Sequence, residues 1–332
     1  MNGIHVKTTR ASLPKELSKI CSSVLLNHTI WFVLAAMVLM TRAFAPDFLS
    51  KTNVMNMLRE AVIVGILAIG MTFTIVSGCF DLSAGAIMGF CAVLTMTLIG
   101  NTVSSTLSAI VLPLIAGAAF GYVDGLLVGH LKMNGFITTL GMQYLILGIT
   151  LLFTKGNYLF IRQSTPFFHQ IGNGTIGAVP VPVLLMLGLA GVAQWVLSRT
   201  NFGQYAKASG ANERAATLSG INVERVRTRS YVLLGICAAI SGIVLASWLR
   251  EMDPSTGVGY EFEAITAAVL GGTRLGGGRG NILNSIAGTL IMVMIVNAMI
   301  LLNISYNYQL MVRGIILVAA VTLELRARRE TN

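Results

Sequence analysis

The sequence predicts an all-α integral membrane protein with about ten transmembrane helices and one or two broken or re-entrant segments. Three observations predict it. The chain is 55% hydrophobic and only 11% charged, against roughly 25% charged in soluble domains. Its apolar residues gather into ten runs, and a regular crossing needs about 20 residues. With the N-terminus placed inside, 16 of the 23 Lys and Arg residues fall in cytoplasmic segments and seven outside, which is the positive-inside bias.

In chain order, residues 1–25 form a polar cytoplasmic segment carrying Lys7, Arg10, Lys15 and Lys19, without the cleavage site of a signal peptide. One transmembrane domain, 26–325, follows. Its spans are expected at Leu26–Met40, Ala61–Ser77, Ala84–Gly100, Leu107–Gly129, Phe136–Phe153, Val179–Leu197, Tyr231–Leu249, Phe262–Leu270, Ile282–Leu302 and Gln309–Leu325. A basic tail, 326–332, returns both termini to the cytoplasm. Arg42, Lys51 and Arg59 are left outside, partly offset by Asp47 and Glu60. Trp31, Trp195 and Trp248 fall near span ends and read as interfacial anchors.

The eighth run is too short. Phe262–Leu270 has nine residues and is followed by GGTRLGGGRGN, Gly271 to Asn281. Irregular backbone at membrane depth survives only where protein or a water-filled cavity satisfies it, so this is a broken or re-entrant element of the sort that borders a substrate path. A similar break, SGCFDLSAGAIMG (Ser77 to Gly89), precedes the third span. Laid over each other, the two breaks match Gly78 with Gly271, Asp81 with Arg274, Leu82 with Leu275 and Gly85 with Gly278. The echo suggests two related halves, and leaves two readings for the charges at the inner mouth: solvated loop charges by default, or a pairing of Asp81 with Arg274 or Arg279. Intramembrane charge adds Asp124, mid-span in GYVDGLLVGH. It either hydrogen-bonds within the bundle or serves as a proton or cation site. Asp81, Ser83, Asp124, Arg274 and Arg279 are therefore the candidates for a translocation path or gate. Arg313, a few residues into the last span, is expected to snorkel outward. The spacing Gly117–Gly121–Gly125–Gly129 predicts close packing of the fourth span.

The long polar segment Arg199 to Arg229 carries six basic residues against Glu213 and Glu224, which places it in the cytoplasm. Asn212 can cap a short helix, Glu213 suits its positive end, and Gly220 can terminate it. Ala215 and Ala216 leave room for a partner's surface, so the segment reads as a plug that fits another protein. Catalysis, metal binding and cofactors find no support. His5, His28, His130 and His169 are scattered, and the four cysteines have no paired spacing. The glycine run lacks the Gly-Lys-Ser/Thr of a phosphate loop. The net charge of +10 sits in segments facing the cytoplasm and does not indicate nucleic acid.

Four motifs in order carry a resemblance. They are NVMNMLREAVIVGILAIGMTFTIVSGCFDLSAG (Asn53–Gly85), GFITTLGMQYLILGITLLFT (Gly135–Thr154), FGQYAKASGANERAATLSGINVERV (Phe202–Val226) and AVLGGTRLGGGRG (Ala268–Gly280). The chain resembles the membrane permease subunit of bacterial ABC-type sugar importers, the ribose-type or branched monosaccharide family that includes autoinducer-2 permeases. The resemblance implies a multi-pass protein of the bacterial inner membrane that passes a sugar or sugar-like solute. It implies a second permease copy or a sister permease, ABC ATPase subunits below and a periplasmic sugar-binding protein above. The family's coupling helix falls on Ala211 to Ser219, giving Gly210, Asn212, Glu213, Ala215, Ala216, Leu218 and Gly220 as the residues that meet the ATPase. An outside acidic cluster, Glu251, Asp253, Glu261 and Glu263, is a candidate contact for the binding protein. The chain departs from the family pattern at Phe80, where a smaller aliphatic is usual, at Asp124, where Asn is common, and at Arg274 and Gly276 or Gly277, where Ser is common. A transporter coupled to protons or sodium would instead need several intramembrane carboxylates, and Asp124 reads as nearly alone.

Overall fold

The structure, a computed structural model, describes residues 30–331. The N-terminal segment 1–25 and the start of the first span lie outside the described residues, as does Asn332. Thirteen helices are present among the described residues: α1 (Ile30–Phe44), α2 (Lys51–Val76), α3 (Ala84–Leu98), α4 (Val103–Gly125), α5 (Gly135–Thr154), α6 (Pro166–Asn173), α7 (Val181–Arg199), α8 (Asn201–Ala211), α9 (Glu213–Leu218), α10 (Val223–Leu249), α11 (Tyr260–Leu270), α12 (Ile282–Leu301) and α13 (Tyr306–Thr331). Four two-residue strands pair antiparallel in the loops. β1 (Leu159–Phe160) joins β4 (Glu251–Met252), and β2 (Thr175–Ile176) joins β3 (Val179–Pro180).

Among the described residues, every expected span falls on a helix. Seven are long and apolar enough to cross a membrane: α2, α4 with its extension to His130, α5, α7, α10, α12 and α13. The helices α3 and α11 are shorter, and α1 is described only from Ile30. At 1.5 Å per residue α11 reaches about 16 Å, half of a bilayer core of about 30 Å. Gly259 (φ 102°) starts it and Gly272 (φ 82°) turns the chain after it.

Two boundaries differ from expectation for a common reason. α2 starts ten residues before Ala61, with the Ser50 hydroxyl accepting from Asn53 N at 3.4 Å. α10 starts at Val223, capped by Asn222 through Arg225 N at 2.9 Å. In both, the helix runs on through polar turns that hydropathy does not count as membrane. The supposed loop 199–229 is thus largely helical.

α2 is the central post, buried continuously from Ala61 to Val76. α10 packs along α2, α3 and α4. Small residues let α4 and α10 touch backbone to backbone: a Cβ on Gly117 would collide with Gly235 O, one on Gly121 with Tyr231 O, and one on Gly125 would lie 2.6 Å from Thr228 Cα. Pro113 has no N–H, so the Ala109 carbonyl loses its helical donor. The Thr95 hydroxyl of α3 donates to it at 3.1 Å. A π-type turn, closed by Leu131 N to Leu126 O, ends α4.

Gly117→Leu is expected to wedge α4 from α10 at a cost of about 1–3 kcal/mol, read as a lower thermal midpoint in detergent. Gly141→Leu on α5, where a Cβ meets nothing within 4 Å, should leave the midpoint unchanged.

Candidate functional site

The short helix α9 is built by local chemistry at both ends. Asn212 ends α8, and its side chain accepts from Ala215 N at 3.0 Å to start α9. Glu213 sits in the first turn, where the helix dipole favours a carboxylate. It is also held by both terminal nitrogens of Arg227 on α10, at 3.1 and 2.7 Å. Gly220 (φ 82°) closes the helix, and Ile221 N returns to Ala216 O at 3.1 Å. Leu218 is 84% exposed and Ala215 is exposed, whereas Ala216 is buried at 4%. The expected pair of small docking residues is therefore split: Ala216 packs inward, and Leu218 is the protruding knob.

Just upstream, Gly210 lies against both glycine breaks. Gly278 N donates to Val76 O at 2.9 Å. A Cβ on Gly210 would collide with Val76 O and would lie 2.7 Å from Gly278 N and 3.0 Å from Gly78 N. Gly78, Gly277 and Gly278 have φ near +80° (81°, 81° and 80°), the left-handed region that favours glycine. The end of α2, the loop after α11 and the approach to α9 thus meet at one point.

Arg274 N bonds Arg279 O at 3.0 Å within the second break. Their side chains are half-buried and exposed, respectively. Neither pairs with Asp81. The ion pairs among the described residues are Lys132–Glu224, Arg227–Glu213 and Arg313–Glu263. Asp81 points inward instead, accepting from Ser83 N at 2.7 Å and from Ser83 Oγ at 2.6 Å. Ser83 Oγ also lies 2.9 Å from Asp124 Oδ2, and both aspartates are fully buried. The structure thus unites Asp81, Ser83 and Asp124 where α3 begins beside α4, and leaves the two arginines apart from them.

Other carboxylates are buried too. Glu261, in the first turn of α11, accepts from Gln143 Nε2 at 2.7 Å and from Gly259 N at 3.0 Å. Glu263 is paired with Arg313 across α11 and α13. Two members of the supposed outside acidic cluster are therefore internal, Arg313 is paired rather than snorkelling, and Asp124 is not alone. Asp253 does lie in a loop, where hydrogen bonds from Ser255 hold its carboxyl below the usual range. Beside the first break, a cavity of 500 Å³ is bordered by Gly78, Phe80, Val128, Asn134, Glu213 and Arg227.

Residues 53–321 match the family described as "Branched-chain amino acid transport system / permease component". The chain belongs to this permease family. It is 41% identical over 289 residues to the ribose import permease protein RbsC of Bacillus subtilis (strain 168), covering 87% of this chain and 89% of that one. To RbsC of Escherichia coli (strain K12) it is 34% identical over 303 residues, 90% and 94% of the two chains. To the L-arabinose transport system permease protein AraH of Escherichia coli (strain K12) it is 35% identical over 292 residues, 88% of each. No solved structure matches it. The permease is a multi-pass membrane protein and not itself an enzyme.

Sequence reasoning missed several groups that shape this region of the permease. Arg227 was counted only as loop charge, yet it anchors Glu213. Tyr231 donates from its hydroxyl to Phe80 O at 2.7 Å, tying α10 to the first break. Gln143 and Glu261 had a usable signal: Glu261 stands one residue before a run too short to span, so the helix had to begin upstream of that run.

Proposed function

We propose that this permease is the transmembrane subunit of an ATP-binding-cassette importer that forms the path for a sugar. The relatives named for ribose and arabinose favour a pentose. It crosses the bacterial inner membrane about ten times, by the hydropathy reading, with both termini cytoplasmic. It works as a pair, with a second copy or a sister permease. An ATPase chain docks on α9, and a periplasmic binding protein delivers the sugar at the opposite end. Asp81, Ser83, Asp124, Arg274 and Arg279 border the gate region, and Gly210 to Gly220 carry the coupling.

The observation that carries this reading is the seating of Gly210 on both glycine breaks, one residue run away from an exposed, capped helix. A displacement of α9 is passed through backbone contact to the ends of α2 and α11. Nucleotide-driven motion then shifts the permease between states, provided each ATPase conformation binds one state better. Close-packed backbone contacts favour discrete rearrangement over gradual yielding.

The test is uptake of labelled ribose and arabinose into proteoliposomes holding the permease, its co-purifying ATPase and its binding protein. Uptake should require both internal-facing ATP and the binding protein. Uptake driven by an ion gradient without ATP would overturn the importer reading. ATP-driven uptake of other sugars only would overturn the pentose assignment.

A further inference from the structure

From the hydrogen bonds around Ser83 we infer that Asp81, Ser83 and Asp124 form a buried proton-binding site, which holds one proton between the two carboxyl groups. Ser83 Oγ lies at hydrogen-bond distance from an oxygen of each, 2.6 Å from Asp81 Oδ1 and 2.9 Å from Asp124 Oδ2. A hydroxyl has a single hydrogen to donate. One hydrogen shared between two ionised carboxylates would leave two buried like charges meeting at a single hydroxyl with no cation beside them among the described residues, so a second hydrogen sits on a carboxyl. Were both groups ionised, one contact would set lone pair against lone pair in a site without solvent exposure.

The geometry also says where the proton sits. Asp81 Oδ1 already receives Ser83 N at 2.7 Å, and its place at the start of α3 favours a carboxylate. Asp124 receives no backbone donor among those described. The chain of bonds therefore runs from Asp124 Oδ2–H to Ser83 Oγ, and from Ser83 Oγ–H to Asp81 Oδ1. Asp81 Oδ2 and Asp124 Oδ1 are buried with no hydrogen-bond partner among the described residues, so none of these residues neutralises the pair through those oxygens.

The surrounding elements do not supply a compensating charge. Glu261 on α11 adds a third acidic group near Asp81. From α10 come Tyr231, engaged with Phe80 O, and Arg227, engaged with Glu213. Cys79 lies in the break itself, next to Tyr231. α5 contributes the neutral Thr139, which accepts from Leu82 N at 3.0 Å, and Gln143, which serves Glu261. The proton thus fastens the first break to the C-terminal end of α4. Its loss leaves two like charges bridged by one hydroxyl, three residues from Gly78 and its contact with Gly210.

The test is infrared spectroscopy of the whole permease in nanodiscs, with the aspartate carboxyls carbon-13 labelled. The chain has four aspartates. Asp47 is exposed and Asp253 is stabilised as a carboxylate by Ser255, so an Asp carboxylic-acid band at neutral pH reports the pair. The band should shift on labelling and vanish in Asp124→Asn. The folded-to-unfolded ratio of the wild type, relative to Asp124→Asn, should fall up to tenfold per pH unit as pH rises, because unfolding then releases one more proton. If Asp124→Asn does not accumulate, Ser83→Ala serves instead, and the band should persist at higher frequency for want of its hydrogen bond. Absence of an Asp acid band in the wild type, or a band untouched by either substitution, would overturn the site. No ATP, sugar or partner is involved, so this outcome is independent of the importer reading.

Discussion

Leu218→Asp is expected to abolish ATP-driven uptake while leaving the permease folded and inserted, and Ala215→Trp is expected to do the same. Leu218 is 84% exposed on a six-residue helix fixed at both ends, so neither change touches the permease interior. In the docked state, an aspartate at the knob would bring an unpaired carboxylate into an apolar socket, at a cost of several kcal/mol. Each 1.4 kcal/mol is tenfold in affinity, so ATPase binding should fall by at least about a hundredfold. The tryptophan acts by bulk, filling the space beside the knob. The measurement is recovery of the ATPase with tagged permease, together with ligand-stimulated hydrolysis. Normal hydrolysis by both variants would remove α9 from the coupling path. Ala216→Leu is the contrasting case, since Ala216 faces inward, and its overpacking should lower stability by about 1–3 kcal/mol.

Gly210→Val should be the most damaging single change in the same region. Its added carbons would run into the Val76 carbonyl and the Gly278 and Gly78 amides. These are backbone atoms, which cannot swing aside as a side-chain tip would. Relief requires separating α8 from the breaks, or parting the breaks themselves at the cost of the Gly278 N to Val76 O bond. The expected loss is about 3 kcal/mol or more, seen as low membrane yield and a thermal midpoint well below wild type. A normally stable Gly210→Val protein would show that the three-way junction is not formed.

What could be read from sequence followed the range over which each signal acts. Asn212, Glu213 and Gly220 are local devices, so the bounds of α9 were legible from residue type alone. The direction in which Ala216 points was not, because six residues have no periodicity long enough to define a face. The glycine stripe of α4 was legible as a close contact, although its partner on α10 was not named by any local pattern. Asp81 failed for the opposite reason. An alignment of the two breaks suggested Arg274, but the choice of partner depends on which helices are neighbours, and α3 begins against α4. Hydropathy cut α2 at Ala61 and placed Glu261 outside. It measures transfer from water to lipid, and both residues lie where protein has replaced lipid.

Asn212 is the single residue between α8 and α9, closing the one and opening the other. Such a joint has only two soft torsions, the φ and ψ of one residue, and the clasp of Arg227 on Glu213 restrains even these. On the proposed docking, force arriving at Leu218 would accordingly be delivered to Gly210 as by a short rigid crank, with almost no backlash. A spliced-in flexible residue at this joint would turn the crank into a string, which can hold the ATPase yet cannot push.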